Sequence, residues 1–112
     1  MTAMRLSSLL ALLIVLAGCA VSVPYEKSRY VGEWSGEKAY LYVSQDGYVY
    51  YERRKGWLVN SVEGRLKGFK GDDIQVGFGP IASTIVVNTP PYLDLDGWKM
   101  VVDGMELWRI ED

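Results

Sequence analysis

Turn signals recur along this chain roughly every eight to fifteen residues, and between them no stretch carries a helical stripe of apolar residues. That spacing restricts the fold to short antiparallel strands. The first hairpin can be read in register. Lys38–Ser44 leads through Gln45-Asp46-Gly47 into Tyr48–Arg53. A two-residue Asp-Gly turn would pair Gln45 with Tyr48 and set Leu41 against Glu52. A three-residue loop, with Gly47 in the left-handed conformation, pairs Val43 with Val49 and Leu41 with Tyr51. The second register puts the aliphatic side chains on one face, and Tyr40, Tyr42, Tyr48 and Tyr50 on the other.

Farther along, Trp57–Val62 and Arg65–Phe69 read as strands around Gly64, and Lys70-Gly71-Asp72-Asp73 as a turn. Asp73–Phe78 alternates Ile74, Val76 and Phe78. Ser83–Asn88 is a β-branched run that stops before Pro90-Pro91, where a strand loses its amide donors. Leu93–Gly97 reads as loop. The last hairpin, Trp98–Val102 and Met105–Ile110, suits a two-residue type I′ turn at Asp103-Gly104. It sets Val102 against Met105, Met100 against Leu107, and Trp98 against Arg109 as a cation–π pair. The expected fold is all-β: a small antiparallel meander of about seven or eight short strands, curled into a barrel or two-layer sandwich so that its edges are not left open.

A different logic governs the first residues. After Arg5, Leu6–Leu16 is an apolar run of about eleven residues, short of the roughly 20 that a spanning helix needs. It has the proportions of a cleaved secretory signal. Leu16-Ala17-Gly18-Cys19 resembles the lipobox of bacterial lipoproteins. The resemblance implies cleavage between Gly18 and Cys19, a diacylglyceryl thioether on Cys19, and acylation of the new amino terminus. With Ala20 rather than Asp after the cysteine, it also implies an outer-membrane anchor with the domain facing the periplasm. The expected organisation is a signal peptide at 1–18, a lipidated Cys19 and tether through 29, and a β-domain at 30–112. Cleavage leaves 94 of the 112 residues, with a net charge of −3 and all fourteen aromatic side chains.

Composition narrows the function. The chain has no histidine, and Cys19 is its only cysteine, which removes His-assisted nucleophilic catalysis, His- or Cys-based zinc sites and any internal disulfide. A net charge of −2 is not that of a nucleic-acid binder. No catalytic residue, metal site or cofactor is expected. Asp94-Leu95-Asp96-Gly97 lacks the later ligand positions of a calcium loop and reads as a hydrophilic turn. Arg53-Arg54-Lys55 reads as a solvated turn, with contact to anionic lipid headgroups as the alternative.

Gly32-Glu33-Trp34, near the start of the expected domain, resembles the first-strand motif of lipocalins and related calycin barrels. The resemblance implies that Trp34 plugs one barrel end and that Arg109 packs over it. The functional expectation is a lipid-anchored envelope lipoprotein, with the β-domain as a binding or structural accessory and the tyrosine face as its site for an envelope protein partner. The alternatives are an inhibitor of a lysozyme or protease, and a lipocalin-like carrier of a small ligand.

Overall fold

The structure, a computed structural model, describes residues 21–78 and 80–111. Among these a 3₁₀ helix, Tyr25–Tyr30, precedes nine strands: β1 (Gly32–Ser35), β2 (Ala39–Val43), β3 (Tyr48–Lys55), β4 (Leu58–Lys70), β5 (Asp73–Phe78), β6 (Ile81–Ile85), β7 (Val87–Asp94), β8 (Gly97–Val102) and β9 (Met105–Arg109). The fold is all-β, an antiparallel meander curled into a barrel. Neighbours follow chain order except where β1 meets β9, in the order β6-β5-β4-β3-β2-β1-β9-β8-β7.

The two edges of this sheet, β6 and β7, are consecutive in the chain with only Val86 between them. Ile85 pairs with Ile74 on β5, whereas Val87 pairs with Val102 on β8. One bent strand thus supplies both edges of the curled half-barrel sheet. The corner is held by the Asp103 amide donating to the Val86 carbonyl at 2.9 Å and the Val87 amide donating to Asp73 Oδ1 at 2.8 Å.

Both hairpin registers agree with the turn chemistry. Val43 faces Val49 and Leu41 faces Tyr51, with Gly47 at φ 93°. Val102 faces Met105 and Met100 faces Leu107, with Asp103 and Gly104 both at positive φ, as a type I′ turn requires. Alternation sends Ala39, Leu41, Val43, Val49 and Tyr51 inward, where they join Trp34, Leu66, Ile74, Val76, Ile85, Met100, Val102 and Leu107 in one core.

Three segments differ from expectation. The two strands expected within 57–69 are one long strand, Leu58–Lys70, with a bulge between Leu66 and Gly68. The chain does not leave the sheet at Pro90-Pro91 but continues to Asp94. The ladder steps from Thr89↔Val101 to Tyr92↔Lys99, so the prolines sit in an irregularity where no amide is needed. The stretch read as a tether is part of the domain from Val23 onward. Val23 is buried and exchanges bonds with Gln45, its amide to the Gln45 carbonyl and Gln45 Nε2 to its own carbonyl, both at 3.1 Å. The 3₁₀ helix then lies against the β4–β5 turn. Tyr30 is buried edge-on to Phe69 and donates its hydroxyl to the Asp72 carbonyl at 2.8 Å, while Lys27 donates to the Gly71 carbonyl. No periodicity marks so short a segment, because its partners are far away in sequence.

Candidate functional site

The four tyrosines come together on the outside of β2 and β3. Tyr42 is the register partner of Tyr50, yet the rings meet on the diagonals: Tyr40 with Tyr50 at 6.1 Å, and Tyr42 with Tyr48 at 6.0 Å. Diagonal contact is what strand twist brings about when long aromatic side chains share a face. All four are partly exposed.

Carboxylates flank this strip on both sides. Glu33 of β1 stands opposite Tyr42, Glu63 of β4 opposite Tyr50, and Glu52 of β3 opposite Tyr40. The Tyr48 hydroxyl donates to Glu63, and this bond is the main reason its ionisation moves upward. Tyr40 is raised too, first by partial burial and then by Glu33. Both phenols therefore stay protonated donors facing acceptor-only groups. At the Tyr48 end, Arg65 reaches Asp46 at 3.9 Å. At the Tyr40 end the strip runs into a depression of about 230 Å³ between the β1–β2 turn and Glu52 and Arg54. The arrangement offers flat aromatic surface edged by negative charge, and beneath it Trp34, Leu41, Val43, Val49, Met100 and Leu107 are entirely buried.

Trp34 donates its indole N–H to the Tyr30 carbonyl at 2.9 Å, and the Arg109 guanidinium lies over its ring at 4.8 Å. The same guanidinium stands 5.5 Å from the Trp98 ring and donates to the Val31 and Arg29 carbonyls, while Arg29 covers Trp98 at 4.6 Å. Indole and guanidinium thus alternate across the barrel end, which pins the 3₁₀ helix to both terminal strands. The charge of the Asp94–Gly97 turn is partly offset from within: Lys99 pairs with Asp94 at 3.1 Å and with Asp96 at 3.8 Å.

Arg53, Arg54 and Lys55 are not in a turn. They are the last residues of β3, in a hairpin arm that carries the β3–β4 ladder on to Lys55↔Leu58. Every residue from Arg53 to Ser61 is exposed, Trp57 to 89%. Sequence marks the arm by its basic triplet and by a strand expected over Trp57–Val62, which the structure starts at Leu58 with Trp57 in the turn. That neither side of the strand finds cover was not legible. At the base of the arm the Tyr51 hydroxyl donates to Asp103 Oδ2 at 2.6 Å, and Arg53 reaches the same oxygen at 3.4 Å. The polar partner of Tyr51 had no local signal, lying on another hairpin. Gly18 and Cys19 lie outside the described residues. Among those that are described, no helix is long and apolar enough to cross a membrane. No family model, curated protein or solved structure matches this chain.

Proposed function

We propose that this is a lipid-anchored envelope lipoprotein, held at the outer membrane through Cys19 and facing the periplasm, whose β-domain is a binding accessory for another envelope protein. The observation that carries the reading is the tyrosine strip. Four partly exposed rings, packed in diagonal pairs and edged by Glu33, Glu52 and Glu63, lie over the fully buried Leu41, Val43 and Val49. Tyrosine combines large contact area with few rotatable bonds, so a strip of four binds at low entropic cost. The flanking carboxylates favour a partner segment that brings basic or donor groups to its rim. The inward positions beneath the strip are taken by aliphatic and indole side chains, which supports an accessory over a carrier, whose pocket needs open space.

Two measurements test this. Cys19→Ala is expected to abolish acyl labelling and release the chain from the membrane fraction; a mature, membrane-bound variant would overturn the anchor. Tyr42→Ser with Tyr50→Ser is expected to abolish co-purification with the partner from solubilised outer membrane at an unchanged fold. Retained co-purification would sink the tyrosine site.

A further inference from the structure

We propose that the tip of the β3–β4 arm docks onto an anionic lipid bilayer, with Trp57 seated at headgroup depth. Three observations point there. Trp57 is 89% exposed, and Leu58 and Val59, next in the chain, are 48% and 54% exposed, so apolar groups crowd the far end of a projecting ribbon. Arg53, Arg54 and Lys55 stand beside them. From Arg53 to Val62 there is no acidic residue, although the chain as a whole is acidic, with a net charge of −2. Among the described residues Arg53 is paired with Asp103, while neither Arg54 nor Lys55 has an ion-pair partner.

An indole beside cations is the composition that suits a membrane–water interface, where the ring sits among headgroups and each nearby cation contributes about 1 kcal/mol against an anionic surface. Size argues against a folded protein as the occupant. A tryptophan covers about 150–250 Å², and two half-exposed aliphatic side chains add little to it. That falls well short of the roughly 800 Å² each partner buries in a stable complex. A bilayer imposes no such minimum, since it accepts a wedge of any width.

The arm and the start of the described chain lie at opposite ends of β3. Val21 sits against Gly47, just before the strand, and Trp57 just after it. Eight strand residues separate them by roughly 25 Å. The contact is thus a second point of attachment, independent of whatever Cys19 carries. A bilayer touched at both points would have β3 lying along its plane.

The experiment uses the full chain with vesicles of phosphatidylglycerol and acyl-brominated phosphatidylcholine, reading the part of the tryptophan emission lost in Trp57→Phe. Bromine-dependent quenching and a blue shift of that emission are expected, both relieved by salt. Arg54→Gln with Lys55→Gln is expected to lower the ratio of quenched to unquenched Trp57 by about 30-fold. Three results would overturn the proposal: equal quenching in Trp57→Phe and the unaltered chain; quenching indifferent to phosphatidylglycerol and to loss of the two cations; or Trp57 emission already blue-shifted without vesicles, which assigns the tip to another copy or to the chain's own first twenty residues. Melting temperatures of the variants, taken alongside, are expected to match that of the unaltered chain.

Discussion

The hairpin of β3 and β4 is a barrel wall for half its length and a free ribbon for the rest. In the wall, Tyr48–Glu52 alternates between outside and core. In the ribbon, Arg53–Lys55 and Leu58–Ser61 are exposed on both faces. Hydrogen bonding does not distinguish the halves, because the ladder is continuous from Tyr48↔Arg65 to Lys55↔Leu58. Their neighbours do. β2 pairs with β3 no farther than Arg53, and β5 takes up β4 only from Leu66. Past those points there is no curled sheet for an inward side chain to meet. Strand pairing and burial are therefore separable, and alternation in the sequence acquires an inside only where further strands supply one.

Substitutions that sample both halves sharpen the comparison. Leu41→Ala, opposite Tyr51 and fully buried, is expected to cost about 3–4 kcal/mol in urea denaturation. A loss under about 1 kcal/mol would mean that the wall is not packed as described. Gly47→Val follows, at about 2–3 kcal/mol, since the residue has φ 93° and an added Cβ would stand 2.0 Å from the Val21 carbonyl oxygen. Asp46→Ala, its exposed neighbour, is expected to change the midpoint far less; equal effects would break the three-residue loop.

Alkaline titration comes third. Burial first of all pushes the Tyr30 and Tyr51 phenols above their ordinary value of 10.0, with Asp72 and Asp103 adding to it respectively. Above pH 10.0 the unfolded chain sheds these protons while the folded chain keeps them. Stability is therefore full below that pH and falls as pH rises beyond it. The fall is expected to be shallower in Tyr51→Phe, and an unchanged slope would remove Tyr51 from the account. The smallest effect belongs to the ribbon: Leu58→Ala and Val59→Ala are each expected to move stability by under about 0.5 kcal/mol. A large loss at either would mean that the arm is covered.

The parts of this fold that were legible are those governed by local chemistry. Asp46-Gly47 and Asp103-Gly104 each mark a turn, the aliphatic alternation beside each turn selects its register, and the first register places the four tyrosines together and Leu41 against Tyr51. What could not be read depends on distant partners. Val23 is buried by Gln45, and Tyr30 by Phe69 and Asp72, so nothing within residues 21–30 marks them as structural. Pro90-Pro91 stays in the sheet because β8 meets it across a register shift, which a strand pattern does not encode. Trp57-Leu58-Val59 scores as strand whether covered or bare. Only the departure of β5 at Leu66 decides between the two.

The seat of Val21 on Gly47 bears on how this domain would meet a partner. On the proposed acylation, Cys19 precedes Val21 by two residues, a span of at most about 7 Å. So short a leash would keep the domain within a few ångströms of the lipid and confine its tumbling, with the tyrosine strip held close to the membrane surface. Association ordinarily costs several kcal/mol in lost translational and rotational freedom. A domain already stripped of much of that freedom forfeits less of it on docking, so a contact as small as four rings and their acidic rim suffices for a partner held in the same membrane, and would fail for the same partner free in solution.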